Sequence, residues 1–286
     1  TARTYVMAAH GAGSTVNVPI AGGMSVSDAL TANPATILLT PSAFARLGLV
    51  TQGVPEERIA VVPRGIDPGF FRPPSESERD NLRERFGWSD EFVFLNVSAM
   101  TDNKGIDRLI RAFAAVVAHY PQARLVLKGV DSIYRSKDRF TGIMRQLSPE
   151  MAAMVEPRIT YIGGNYKLVD MTRLYQCADV LVAPYLSEAF CSPALEAAAC
   201  GLPSICTQGG PTEETTSDEF SLRIAAQWDP QSRILSPDEN HLAQNMAFIG
   251  TNPAWRERAS IVAADFASRR FTWDQAAERL LQVIGV

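Results

Sequence analysis

The strongest constraint in this chain is an alternation. Between Phe92 and Ala225 short apolar runs repeatedly give way to amphipathic stretches, the pattern of a parallel sheet covered by helices. Residues 92–97 read as the first strand of the series. Behind it Ile106, Leu109, Ile110, Phe113, Val117 and Tyr120 recur at three- and four-residue steps, which predicts a helix over 104–120 ending at Pro121. The same reading places strands at 125–127, 159–162, 180–183, 204–206 and 222–225, and helices at 138–147, 169–177 and 193–200. The implied architecture is α/β, a doubly wound parallel sheet. Helical patterns at 242–249, 255–267 and 273–284 form a C-terminal tail. Upstream, strands at 36–39 and 59–62 flank a helix at 43–49, and a strand-like run covers 5–8. Pro63, Gly65, Pro68, Pro73 and Pro74 then make a rigid connector, where a domain boundary is expected.

Composition narrows the function classes. The net charge of -4 gives no chain-wide electrostatic reason to hold nucleic acid. Cys177, Cys191, Cys200 and Cys206 sit in apolar surroundings without a C-x-x-C pair, which argues against a zinc site or a disulfide framework and for a reducing, cytoplasmic setting. Residues 1–55 hold only three charged side chains, Arg3, Asp28 and Arg46, so this segment reads as a remnant of a domain or as a covered surface.

The chemistry concentrates after the strand at 180–183, in Ser187-Glu188-Ala189-Phe190-Cys191-Ser192-Pro193-Ala194-Leu195-Glu196. Ser192 suits an N-cap and Pro193 a first helical position, which places Glu196 in the first turn and Glu188 on the preceding loop. Free amides at 189–191 beside a helix N-terminus suit an anion, and the flanking carboxylates suit hydroxyl groups. A ligand anionic in its middle and hydroxyl-rich at both ends fits this layout. A second strand-to-helix junction, at 96–105, puts Lys104 where its charge opposes the helix dipole unless an anion lies between.

Several stretches together resemble one family. Lys104-Gly105-Ile106-Asp107-Arg108-Leu109-Ile110, Ala178-Asp179-Val180-Leu181-Val182-Ala183-Pro184, the E-x7-E segment from Glu188 to Glu196, Ala199-Cys200-Gly201-Leu202-Pro203 and Gly209-Gly210-Pro211-Thr212-Glu213 resemble retaining glycosyltransferases of the GT-B fold, family 4, the glycosyl transferases group 1. Val61-Val62-Pro63-Arg64-Gly65-Ile66-Asp67 resembles their interdomain hinge, and Phe271-Thr272-Trp273 the start of their cross-over helix. The resemblance covers residues 36–286 and is most specific for the donor-binding half, with its Rossmann-like sheet.

The resemblance implies residues 1–63 as a remnant of the acceptor-side domain, 64–270 as the nucleotide-sugar domain and 271–286 as the cross-over helix. It implies that Lys104 neutralises the diphosphate leaving group, that Glu188 and the backbone of Ala189, Phe190 and Cys191 hold the donor sugar, that Glu196 accepts from the ribose, and that Ile162 and Gly163 lie beside the base. Lys104 and Glu188 are then the catalytic pair, transfer proceeds with retention, and the partners are a nucleotide sugar, an acceptor of unknown identity and a missing N-terminal domain or partner chain. Peripheral association with the inner face of the membrane is compatible with this. No D-x-D motif occurs, so no obligatory metal or other cofactor is expected.

Two positions depart from the family. The arginine common five residues before the lysine is Ala99 here, with Lys128 or an arginine from a missing segment as candidate substitutes, and Ala189 replaces a common glycine, which matters only if its φ is positive. A degenerate donor-binding module without transferase activity is the alternative reading, and a phosphorylase or sugar-phosphate synthase a third. Nothing around His10 matches a catalytic histidine, Gly11-Ala12-Gly13-Ser14-Thr15-Val16 reads as a loop, and Cys191 reads as a packed side chain with no base beside it. His119 and His241 are expected to be exposed, and Trp273 to anchor the last helix.

Overall fold

A computed structural model describes residues 4–7, 26–232 and 234–286. His10 and the glycine-containing segment after it therefore lie outside the described residues. The chain begins with β1 (Thr4–Met7), α1 (Val26–Ala32), β2 (Thr36–Thr40), α2 (Ala43–Val50) and β3 (Ile59–Val61). It continues through α3 (Glu76–Phe86), β4 (Phe92–Val97), α4 (Ile106–Val117), β5 (Ala123–Lys128), α5 (Asp131–Tyr134), α6 (Ser136–Met144), α7 (Pro149–Val155) and β6 (Ile159–Ile162). Next come α8 (Leu168–Cys177), β7 (Val180–Ala183), α9 (Ser192–Ala199), β8 (Ser204–Thr207), α10 (Thr212–Thr215) and β9 (Ser221–Ile224). A hairpin of β10 (Ala226–Asp229) and β11 (Ile234–Pro237) leads to α11 (Glu239–Thr251), α12 (Pro253–Arg270) and α13 (Trp273–Ile284).

The main sheet has the order β6-β5-β4-β7-β8-β9 with every pairing parallel. Both faces are covered, and the strands show why each needs apolar residues at successive positions. Val93 and Leu95 point into one core with α8, α9 and α12, whereas Phe92 and Phe94 point into the other with α4 and α11. The expected doubly wound architecture is therefore observed. The apolar pattern did not reveal α3, because its face toward the body sets only Leu82 and Phe86 beside Arg79 and Arg83, which bond to the chain around Asp179. The β10–β11 hairpin was missed as well, since two four-residue strands with exposed positions carry little periodic signal.

A smaller parallel sheet, β1-β2-β3, has its own buried cluster of Val26, Leu38, Leu49, Val54 and Ile59. It meets the rest of the chain at the start of α2 and along α13. Glu214 accepts from the free amides of Ala43 and Phe44 at 2.8 Å each, closing the N-terminus of α2 with an anion. Behind it the connector runs against the far end of the chain: Ile66 donates to the Phe271 carbonyl at 2.8 Å and bridges Thr272. Gly65 is required there, because a Cβ would lie 2.4 Å from the Trp273 nitrogen. Trp273 does not anchor α13. Its side chain is 56% exposed, and the helix start is held instead by Thr272, which exchanges capping bonds with Gln275. No helix among the described residues is long and apolar enough to cross a membrane.

Candidate functional site

Strands β4 and β7 are neighbours in space although β5 and β6 separate them in sequence, so the strand order reverses between them. Loops leaving the carboxyl ends of such a pair diverge to opposite faces and open a crevice. A cavity of about 520 Å³ occupies that place. Its walls are the end of β4 (Val97, Ser98, Ala99), the turn with Asn103 and Lys104, the end of β5 (Lys128, Gly129, Val130), the loop from Ser187 to Pro193, and the side chains of Met171 and Arg64.

The two loops are fastened to each other before any ligand is considered. Asn103 donates to the Ser187 carbonyl at 2.8 Å, and its own carbonyl accepts from Leu186 at 2.8 Å. Gly105 permits this approach. Its φ of +65° is left-handed, and a Cβ would lie 2.1 Å from the Pro184 carbonyl oxygen. Lys104 consequently ends a short 3-10 turn, Asp102–Lys104, rather than opening α4, which starts at Ile106. The ammonium does not face the α4 dipole as the spacing implied. It forms an ion pair with Glu188, each side chain 18% exposed.

On the other loop, α9 begins one residue earlier than expected. Its N-cap is Cys191 in the left-handed region (φ +63°), Ser192 is the first helical residue without capping, and Glu196 falls beyond the first turn. Ala189 is not among the residues with positive φ, so the replaced glycine causes no strain. The strain sits at Cys191 instead, a buried thiol whose pKa burial pushes well up. The other three cysteines are also free and buried.

Of the eight expected donor-site residues, Lys104, Glu188, Ala189, Phe190 and Cys191 line the cavity, whereas Ile162, Gly163 and Glu196 do not. The carbonyls of Ile162 and Gly163 accept from Gly129 and Asp131 at 2.9 and 3.0 Å, one shell behind the wall. Glu196 takes a 2.6 Å hydrogen bond from the buried Tyr175 hydroxyl on Oε2, and among the described residues Oε1 has no partner. Burial raises the Glu196 pKa, against the opposing effects of the Tyr175 bond and the Arg64 charge. A carboxyl with a raised folded pKa loses stability as pH climbs from its ordinary value of 4.5 through the folded value. Glu196→Gln should therefore match the wild type at pH 4 and become the more stable protein by pH 7. Glu196→Ala, which strands the Tyr175 hydroxyl, should lose about 1–3 kcal/mol at pH 4 and fall less far below the wild type at pH 7. Thermal melts of the three proteins at the two pH values check this.

Lys128 does reach the cavity wall, but its ammonium is spent on the carbonyls of Gly129 and Gly164, lies over the Tyr166 ring, and has its pKa lowered by burial. Ala99 contributes a methyl group to the wall. Three contributors went unassigned in the sequence. Arg64 lines the cavity and donates to Ser192 Oγ at 3.2 Å, Ser42 donates to the Ala189 carbonyl at 2.6 Å, and Asn103 joins the loops. Arg64 and Ser42 both come from before the main sheet, and no local pattern signals their contacts. His241 is half-buried and accepts from the Ala225 amide at 3.0 Å, a structural role rather than the exposed one expected.

Comparison with known proteins bears on the same region. The family model described as glycosyl transferases group 1 matches residues 78–234. Among curated proteins, the mannosylfructose-phosphate synthase of Agrobacterium fabrum is 28% identical over 235 residues, 81% of this chain and 48% of the relative. A D-inositol 3-phosphate glycosyltransferase of Xylanimonas cellulosilytica is 30% identical over 237 residues, 81% of this chain and 52% of the relative. The chain thus spans about half the length of the curated relatives it matches. Among solved structures, Anabaena HepE in complex with UDP-glucose superposes with a TM-score of 0.76 at 19% identity, covering 91% of this chain and 67% of that one. The C-terminal domain of a group 1 glycosyl transferase from Francisella tularensis superposes at 0.58 and 18% identity, covering 73% of this chain and 99% of that domain. With the matched segment containing the cavity loops and the sheet that positions them, this chain belongs to the glycosyl transferases group 1 and has the GT-B type of Rossmann-like α/β domain.

Proposed function

We propose that this chain binds a nucleoside-diphosphate sugar in the cavity at the strand-order reversal and transfers the sugar to an acceptor with retention of configuration. The observation that carries the reading is the meeting of Lys104 and Glu188 beside the N-terminus of α9, a cation, a carboxylate and a helix start in one cavity. Residues 64–270 form the donor-binding body, 271–286 the helix that returns to the hinge, and residues before 64 contribute the acceptor side.

In this reading Lys104 and the amides opening α9 hold the diphosphate, while Glu188 and the backbone of Ala189–Cys191 hold the sugar hydroxyls. Glu196 accepts a ribose hydroxyl through Oε1, and the base rests against the turn backed by Ile162 and Gly163. The bond between the anomeric carbon and the β-phosphate oxygen breaks as the acceptor oxygen bonds to that carbon from the same face. The departing phosphate takes the acceptor's proton. Negative charge grows on the leaving diphosphate, where the Lys104 ammonium and the start of α9 stand in the cavity wall to stabilise it. No metal is required by this scheme, because the protein's own cations face the diphosphate.

Calorimetric titration with UDP, GDP and their sugars tests the reading. One nucleotide series should bind below millimolar concentration, with EDTA making no difference, and Glu196→Ala should weaken that binding. Absence of binding at millimolar ligand, or binding unchanged by Glu196→Ala, would refute the site. The second reading, a donor-binding module that transfers nothing, draws on Ala99 and on the mutual neutralisation of Lys104 and Glu188. Release of nucleoside diphosphate from the bound donor, with turnover, separates the two.

A further inference from the structure

Three cations line the donor cavity, and the protein already engages two of them. Lys104 is paired with Glu188, so together they bring no net charge to the wall. Lys128 is 5% exposed and bound to two carbonyls, with its ammonium disfavoured by burial. Arg64 differs in each respect. It is exposed, it forms no ion pair with a carboxylate among the described residues, its charge acting on Glu196 only through space, and its hydrogen bond goes to the Ser192 hydroxyl at 3.2 Å, on the first residue of α9. That bond brings the guanidinium to the helix end whose first residues, Ser192 and Pro193, line the cavity.

We propose that Arg64 is the second cation of the diphosphate subsite, acting alongside Lys104 on the phosphate seated at the start of α9. The assignment rests on the nucleotide-sugar reading above. Arg64 suits the task because a guanidinium presents a planar fork that can bond two phosphate oxygens at once and stays charged when solvent is displaced. Its backbone is also held in place. The neighbouring Gly65 packs against Trp273 so closely that no side chain fits, and Ile66 is bonded to the Phe271 carbonyl. The connector thus carries its cation to the cavity in a fixed position, which makes the hinge part of the donor site.

The experiment is a calorimetric titration of the full chain and its Arg64→Gln, Arg64→Lys and Lys128→Met variants. The ligands are uridine, UMP and UDP, with the guanosine series in parallel. Arg64→Gln should weaken the nucleoside diphosphate about 10- to 100-fold and leave the nucleoside unchanged. The monophosphate should be affected less, and Arg64→Lys should recover part of the loss. The melting temperature of Arg64→Gln should stay at the wild-type value, since the side chain is exposed. Equal weakening of nucleoside and diphosphate would mark a structural effect and overturn the assignment. So would an unchanged diphosphate affinity, or a loss confined to Lys128→Met. A wild-type protein that binds neither series would bring down the functional reading and Arg64 with it. A wild-type protein that binds while Arg64→Gln binds equally well would bring down the Arg64 assignment alone.

Discussion

Lys104→Ala should lower sugar transfer by about 10²–10³-fold, equivalent to about 2.7–4 kcal/mol of lost stabilisation where charge develops on the leaving group. The effect should exceed simple deletion of a cation, because it leaves Glu188 without its partner in a wall where that side chain is only 18% exposed. An unpaired carboxylate then faces an incoming diphosphate of the same sign. Glu188→Gln should behave in the opposite way toward the nucleotide alone. With Lys104 released from its ion pair, affinity for the nucleoside diphosphate should hold or rise, while transfer falls through loss of a sugar contact. Glu188→Gln should change nucleoside-diphosphate affinity by a different factor in the Lys104→Ala background than in the wild type, and that non-additivity is the signature of two groups acting as a unit. Steady-state release of nucleoside diphosphate and calorimetric affinities for the four proteins measure the cycle. Transfer by Lys104→Ala within threefold of the wild type would sink the role given to the ammonium.

The largest effect on stability is expected at Asp179, remote from the cavity. Its Oδ2 accepts from Arg83 at 3.0 Å and from the Val93 amide at 2.8 Å, and its Oδ1 accepts from Arg79 at 2.7 Å. Arg83 is 9% exposed and also donates to the carbonyls of Cys177, Trp88 and Glu91. This network fastens α3 to the edges of β4 and β7. Asp179→Ala removes the carboxylate that both arginines pair with and strands the Val93 amide. Breaking a buried pair from one side costs about 3–5 kcal/mol, a drop in melting temperature on the order of 10 °C for a chain of this size. Asp179→Asn keeps an acceptor for Val93 and should lose less. Melting curves and urea titrations of both variants test the ordering; a loss below about 1 kcal/mol for Asp179→Ala would mean that solvent already screens the network.

Local pattern carried most of the main sheet. The inner strands β4, β5 and β7 were readable because burial on both faces demands consecutive apolar residues, and α4 because one face meets a core. Helix α3 was illegible for a related reason: only Leu82 and Phe86 of its contact with the body are apolar, the rest being the charged Arg79 and Arg83, so the apolar stripe is too sparse to read. At the site, the residue types at 104, 188 and 196 were legible as candidates, but their geometry was not. Whether Glu196 opens α9 or lies beyond its first turn depends on Cys191 adopting a left-handed φ, a conformation that a non-glycine residue takes only when its surroundings impose it.

The sequence by itself determined the class of the sheet, the order of its elements and the family motifs, because those follow from the periodicity of burial and from short runs of residues. Tertiary structure alone decided which strands became neighbours, and with that the site. Adjacency of β4 and β7 brings Lys104 onto Glu188, 84 positions later, and the fold-back of the connector brings Arg64 to Ser192, 128 positions later. No local propensity encodes either meeting. They arise from long-range packing, in which Gly105 and Gly65 admit backbone contacts too close for any side chain and so set the distance at which the charges meet.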